Sequence, residues 1–297
     1  MRGMVVAIGV FDGVHLGHRK VIEEGLRLAS AMDAELEVMS FVYPMEYYVD
    51  HDFLGLIYPP AYRLKLLQEI GVFSVRFIDL IEIKGMSSEE FMYMLKDFGI
   101  RGMVVGRNFR FGRGAEGNTE ILSSFCKKEG ISLKLVDEVK VDECRVSSTI
   151  IRKCLIAGDV ERANRLLGSP FKLIGRVVRG RRLGSKLGFP TANLNRGHER
   201  LVTPKFGVYL VKTSVRGEEM YGLMNVGVRP TIDDDLDVKY EVFLLNYSGG
   251  DLYDEKLEIS LLAFLREERK YPDLEELKEA IRKDVAEAQK LISNLES

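Results

Sequence analysis

The feature that most constrains this chain is a change of rhythm a little past the middle of its 297 residues. Before about residue 157, short apolar runs alternate with stretches whose apolar residues recur every three or four positions. The runs predict strands at 4–10, 35–42, 72–78, 103–106 and 132–139. Between the first two, Val21, Ile22, Leu26, Ala29 and Met32 keep helical spacing. Leu64, Leu67 and Ile70 predict another helix, ended by Gly71. A further helix opens with a capping box, Ser87 to Glu90, and closes on Gly99. Strands that are apolar almost throughout, alternating with helices, fit a parallel sheet covered on both faces.

After residue 157 the pattern changes. A short helix is expected within 158–170, stopped by Gly168 and Pro170. Beyond it, "FKLIGRVVRG", "GVYLVKTSV", "EMYGLMNVGV", "KYEVFLLNY" and "KLEISLLAFL" read as antiparallel strands separated by Gly, Asp and Asn turns. A last helix carries Leu274, Leu277, Ile281, Val285 and Ala288 along one stripe. The expectation is an α/β domain over residues 1–157, a linker helix at 158–170, and a small antiparallel β-barrel with a terminal helix over 171–297.

Composition narrows the class of function. A formal net charge of -2 gives no global attraction to nucleic acid or membrane, so any anion site must be local. Cys126, Cys144 and Cys154 are scattered, which suits a reducing compartment and inert thiols. No stretch reaches the roughly 20 apolar residues of a membrane span, and the opening apolar run is short for a signal peptide. These points predict a soluble, cytoplasmic protein with no nucleic-acid or membrane partner.

Ligands of open α/β sheets bind beyond the carboxyl ends of the strands. The turn after the first strand, "GVFDGVHLGH" (9–18), holds two of the four histidines, His15 and His18, and runs into a helix. Free N–H groups at a helix start favour anions, and imidazoles there can donate to phosphate oxygens. A His-x-x-His pair can also ligate metal, and a histidine in a turn can simply cap a helix. A second element, "SSTIIR" (147–152), puts Ser147, Ser148 and Thr149 at another helix start, with Arg152 one turn in. A third, "VVGRNFRFGRGAEGN" (104–118), contains a literal Gly-x-Gly-x-x-Gly. Its glycines do not immediately follow the strand, so a dinucleotide fingerprint is rejected. A loop in which Phe109 and Phe111 stack and Arg107, Arg110 and Arg113 steer phosphate fits better. In the second half, Thr191 and Asn193 alternate along an extended segment and share a face, a pair suited to Mg²⁺ beside phosphates. Gly184-Ser185-Lys186 is no Walker A motif, because Pro190 and an extended run follow it.

The His-x-Gly-His turn resembles the signature of the nucleotidyltransferase superfamily. Taken in order, "GVFDGVHLGH", "VGRNFRFG" and "SSTIIR" resemble the adenylyltransferase module of prokaryotic bifunctional FAD synthetases. "GRRLGSKLGFPTANL" (180–194), "MNVGVRPT" (224–231), "YEVFLLNY" (240–247) and "LREERKYPDLEEL" (265–277) resemble that family's riboflavin kinase module. The resemblance implies ATP-dependent phosphorylation of riboflavin to FMN, then adenylylation of FMN to FAD with release of pyrophosphate, with Mg²⁺ as metal. It implies Gly9, Phe11, Asp12, Gly17, Asn108, Ser147, Ser148 and Thr149 as ATP contacts, with His15, His18 and Arg152 catalytic. For the kinase it implies Glu241 as base, Gly180, Lys186, Gly188, Pro190 and Arg266 at ATP or flavin, and Thr191 and Asn193 at the metal. One stretch departs: where the family carries Phe-x-Pro-His-Pro, this chain has "FVYPMEYY", with Phe41 and Pro44 but no histidine. That leaves room for an alternative, a flavin- or nucleotide-binding regulator with a degenerate adenylyltransferase site.

Overall fold

The structure is a computed structural model that describes residues 3–180, 188–229 and 237–296. Lys186 lies outside the described residues. The chain divides into two compact units, Met1–Ile150 and Ile151–Ser297. The division falls inside a helix, whereas the sequence reading places a boundary after residue 157.

In the first unit, β1 (Gly3–Gly9), α1 (Leu16–Ala31), β2 (Ala34–Phe41), α2 (Met45–Val49), α3 (Pro60–Glu69), β3 (Ser74–Ile78), α4 (Leu80–Ile83), α5 (Ser88–Asp97), β4 (Ile100–Gly106), α6 (Thr119–Glu129) and β5 (Ser132–Val136) follow one another. All sheet pairings are parallel, in the order β3-β2-β1-β4-β5. The central strands are buried on both faces, which is why they read as continuous apolar runs. Val6, Ile8, Met39, Met103 and Val105 pack with Phe91, Leu95, Leu122 and Phe125 of α5 and α6. Because β2 and β4 flank β1, the chain reverses its direction of winding there. The turns after β1 and β4 therefore open on one crevice, where such sheets take ligands. The capping box of α5 is formed as expected.

One helix face differs from expectation. On α3 the buried residues are Tyr62, Arg63, Leu66 and Leu67, and Leu64 and Ile70 are only half-buried. The stripe turns because Arg63 points inward, where main-chain carbonyls receive its guanidinium.

A short ribbon, β6 (Lys140–Val141) with β7 (Cys144–Arg145), precedes α7 (Ser148–Ala157). In the second unit, α8 (Val160–Leu167) ends on Gly168 in the left-handed conformation, as its sequence predicts. Asn164 of α8 donates to Leu261 O (2.9 Å) and accepts from Phe171 N (2.7 Å), tying the helix to the sheet. Then come β8 (Lys172–Val178), β9 (Thr191–Asn195), β10 (Gly207–Val215), β11 (Glu218–Arg229), β12 (Asp237–Leu244), β13 (Lys256–Glu267) and α9 (Leu274–Glu296). The strands close into a barrel ordered β10-β11-β12-β9-β8-β13, every pairing antiparallel. Arg216 and Gly217 turn β10 into β11, both at positive φ, as a two-residue hairpin requires.

Alternation sorts the barrel's side chains. Tyr209, Val211, Met224, Val226 and Val242 are buried on the inner face. Val208, Leu210 and Leu223 face outward and are covered by Val285, Ala288, Leu291 and Ile292 of α9. Leu274, expected in that stripe, is exposed. Asp284 takes a place on the buried face instead.

Candidate functional site

At the end of β1 the chain makes a tight turn that local rules explain only in part. Gly13 takes a positive φ (88°), but so do Phe11 (53°) and Val14 (43°). A β-branched residue in that region is strained, at a cost of order 1–3 kcal/mol. Both side chains are buried, and burial holds them there. Gly9 and Gly17 serve close packing instead. A Cβ on Gly17 would lie 3.2 Å from the His15 ring, and one on Gly9 would lie 3.3 Å from the Phe11 ring.

His15 is the N-cap of α1: its Nδ1 accepts the His18 main-chain N–H at 3.2 Å. In a neutral imidazole this places the proton on Nε2, leaving a donor on the ring's far side. The His15 and His18 rings stack with centroids 3.5 Å apart, and Phe11 meets His18 edge-on. Capping and ligand donation are thus compatible in one residue. Among the described residues, no three His, Cys, Asp or Glu side chains cluster to hold a metal ion.

Asp12 is 1% exposed, and its carboxylate accepts from the main-chain N–H groups of Ile57 and Tyr58 at 3.0–3.1 Å. It anchors the turn to the segment before α3. The Ser148 hydroxyl donates to Asp12 O at 2.8 Å, and Ser147 Oγ accepts from Ile150 N as a cap. Two motifs 136 positions apart are thereby joined by a hydrogen bond. Thr149 is exposed at the helix start. Arg152 lies one turn along α7, past the division between units, and is buried.

Among the described residues, Arg63 is the largest fully buried side chain. Its guanidinium donates to the carbonyls of Val10, Phe41 (3.1 Å) and Val42, at the carboxyl ends of β1 and β2. Sequence reasoning missed it, because an arginine in a polar-looking helix reads as solvated. Asn108 is exposed in the turn after β4. The expected stacking loop is corrected: Phe111 is buried, tilted on Phe91 and stacked on Phe109 as part of the core. Arg107 pairs with Asp137 at 2.6 Å. The Gly-x-Gly-x-x-Gly stretch forms a bridge between Phe111 and Gly117 and a 3₁₀ turn, not a phosphate-binding helix start.

In place of the missing histidine, Tyr43, Tyr47, Tyr48 and Phe53 form an aromatic cluster, with Tyr43 stacked on Tyr47 at 4.0 Å. Tyr48 donates to Asp79 (2.7 Å). Burial, reinforced by that carboxylate, pushes the Tyr48 phenol well above its ordinary pKa.

The second unit presents two cavities. One, of about 330 Å³, is lined by Phe189, Phe243, Leu277 and Ile281 with Thr191, Glu241, Arg266 and Asp284 among its polar groups. The other, of about 600 Å³, is lined by Arg179, Arg196 and Lys239 as cations, with Glu199, His198, Asn193 and Tyr240. Glu241 lies in a row across three strands: Asn225 of β11 is its neighbour on one side and Asn193 of β9 on the other. Its carboxylate pairs with Lys239 Nζ at 2.6 Å.

Asn193 is 8% exposed, and the Gly180 main chain comes so close that a Cβ there would meet the Asn193 amide at 2.1 Å. Gly188 takes φ 87°, which favours glycine, and the exposed Pro190 leads into β9. Arg266 binds Asp284 with two 2.7 Å hydrogen bonds, which raise its pKa above the ordinary guanidinium value. Half-buried, Arg266 ties the cavity's wall to α9. Asp284 escaped the sequence reading because it interrupts an apolar stripe.

A parallel α/β unit with a histidine-bearing turn at its switch point, followed by a closed antiparallel barrel, is a two-module architecture. Comparison gives the family. Residues 1–150 match the FAD synthetase family model, and residues 167–292 match the riboflavin kinase model. A bifunctional riboflavin kinase/FMN adenylyltransferase of Pseudomonas fluorescens is 35% identical over 98% of this chain and 93% of its own length. The protein of the same description from Escherichia coli (strain K12) is 33% identical over 95% of this chain and 90% of its own. The crystal structure of a Streptococcus pneumoniae protein described as a macrolide-efflux protein superposes with a TM-score of 0.87 at 26% identity, covering 97% of this chain and 94% of that one. This chain belongs to the bifunctional riboflavin kinase/FMN adenylyltransferase family. Among the described residues no helix is long and apolar enough to cross a membrane.

Proposed function

We propose that this chain makes FAD from riboflavin in two steps, each in its own unit. The barrel unit phosphorylates riboflavin with ATP, giving FMN and ADP. The α/β unit joins FMN to the AMP moiety of a second ATP, giving FAD and pyrophosphate. The observation that carries the reading is that the two halves match the two families separately, in one chain and in order.

In the first step the apolar cavity takes the flavin ring, and the cationic one takes the nucleotide phosphates. Glu241 faces the flavin cavity and accepts the proton of the terminal hydroxyl. The Thr191 hydroxyl and the Asn193 amide oxygen are neutral, hard donors on one face of β9. They fit Mg²⁺, which takes few protein ligands when substrate phosphates supply the rest. Bound there, the ion would neutralise phosphate charge. Gly180, Gly188 and Pro190 are assigned to ATP or flavin, as is Lys186 on the family resemblance alone, and Arg266 shapes the flavin side through Asp284.

In the second step an FMN phosphate oxygen attacks the α-phosphorus of ATP, and the bond to pyrophosphate breaks. The nucleophile is already an anion, so the protein's work is positioning and charge neutralisation. His15 and His18 donate to the phosphates from one side. Ser147, Thr149 and Arg152 approach from the other, and Asn108 lies at the transferring group. Gly9, Phe11, Asp12, Gly17 and Ser148 build the turn that presents these donors. The enzyme works in the cytoplasm as a monomer or weak oligomer.

The test is direct. The pure protein is incubated with riboflavin, ATP and Mg²⁺, and the flavins are separated by chromatography. FMN should rise and then give way to FAD, with one pyrophosphate per FAD. Tight flavin binding with neither product would favour the regulator instead.

A further inference from the structure

Lys239 occupies a place that the two-cavity reading leaves unexplained. It stands two residues before Glu241 on β12, so the two side chains share a face of the sheet. Its Nζ lies 2.6 Å from Glu241 Oε2. Among the described residues it is the one that lines both cavities. Its neighbours in the larger cavity include Arg179, Arg196 and His198, and in the smaller one Thr191, Asn225 and Arg266. The ammonium is half-buried, with 27% of the side chain exposed. A phosphoryl group moving from a nucleotide in one cavity to a hydroxyl in the other must pass the wall that carries this charge.

We propose that Lys239 is a catalytic residue of the phosphoryl transfer, its ammonium stabilising the phosphoryl group as it crosses between the cavities beside Glu241. The inference rests on the assignment of these cavities to flavin and nucleotide. In the step, the terminal hydroxyl oxygen of riboflavin bonds to the γ-phosphorus of ATP. The bond from that phosphorus to the bridging oxygen breaks, and its electron pair leaves on ADP. The hydroxyl proton passes to Glu241. Lys239 keeps its own protons and supplies only positive charge, where phosphoryl transfer gains most from it. A flexible, compact ammonium suits this better than the fixed fork of an arginine, since it can leave Glu241 for the phosphoryl oxygens without leaving the wall.

The experiment compares K239M, K239R, E241Q and the double variant K239M/E241Q in the full-length chain. FMN formation is measured at saturating riboflavin and ATP, and FAD formation from supplied FMN is measured alongside. K239M should lower kcat for FMN formation roughly 10²-fold, with KM values changed little. K239R, which keeps the charge, should recover most of that loss. FAD formation should be unchanged in both. In the E241Q background, K239M should lower the residual rate further, by roughly tenfold or more, because a charge acting on the phosphoryl group does not act through Glu241. Three results would overturn the proposal: an unchanged kcat in K239M, a loss confined to KM for ATP, or no further loss in the double variant. The last would make Lys239 a positioning residue for Glu241. If E241Q itself retains full FMN formation, the assignment of the kinase site fails instead, and the two failures are told apart.

Discussion

Around Asp12 the hydrogen bonds run from main chain to side chain and back; around Glu241 and Arg266 they run between side chains of opposite charge. Asp12 holds the N–H groups of Ile57 and Tyr58, Ser148 holds Asp12 O, and Arg63 holds three carbonyls at strand ends. In the barrel, Lys239 pairs with Glu241, and Arg266 with Asp284. The first arrangement fixes the path of a backbone whose N–H groups and imidazoles are, in the function we propose, the working parts. The second holds paired charges on the wall of the barrel cavity. A site built from main chain should fail by losing its shape, and one built from charge pairs by losing affinity or rate.

The largest effect expected from this contrast is on stability. Arg63→Met removes the buried donor from Phe41 O and Val42 O and one donor from Val10 O. Unpaired buried carbonyls cost about 1–3 kcal/mol each, so a loss of about 3 kcal/mol is expected. It should fall on the first unit. After brief heating at graded temperatures, FAD formation should disappear well before FMN formation does. Equal losses of the two activities would break the contrast.

A smaller effect is expected in the barrel. Asp284→Asn deprives Arg266 of its charged partner, and hydrogen bonds to charged groups are worth about 1.5–3 kcal/mol. With α9 less firmly held against the cavity, KM for riboflavin should rise about tenfold, which is 1.4 kcal/mol. FAD formation from FMN should be unchanged. A variant with lower kcat and unaltered KM would show that Arg266 acts on the reaction rather than on the cavity.

The smallest effect concerns the capping box, where main-chain bonding again sets the behaviour. The Ser87 N–H, followed by its hydroxyl, holds the Glu90 carboxyl below its ordinary pKa. A carboxylate with a depressed pKa stabilises the fold above the ordinary carboxylate range and ceases to do so as pH falls through its folded value. Thermal melts of the parent and Glu90→Gln should therefore differ slightly at neutral pH and converge in acid. A difference that grows in acid would contradict the assignment.

What could be read from sequence follows the same division. The turn after β1, the helix start at Ser147 and the extended segment of Thr191 and Asn193 depend on residues near in sequence, and all were legible. Strands buried on both faces announced themselves as unbroken apolar runs. The positive φ values of Phe11 and Val14 were not legible, because tertiary burial imposes them against local preference. Arg63 and Asp284 drew no notice in the sequence, since their partners lie 21 or more and 18 positions away. Phe111 looked like a free stacking surface because its partner, Phe91, sits 20 positions earlier on α5. Lys239 was within reach of the same reasoning, since it stands two residues before Glu241 on one strand and shares its face.

The central claim is that the two chemical steps belong to separate sites on one chain. The most direct test crosses two variants with two assays. His18→Ala should still convert riboflavin to FMN and should fail to make FAD. Glu241→Gln should phosphorylate riboflavin only at a small residual rate and should still convert supplied FMN to FAD. If either variant loses both steps to the same extent, the division of the reaction between the turn after β1 and the wall of the barrel is contradicted.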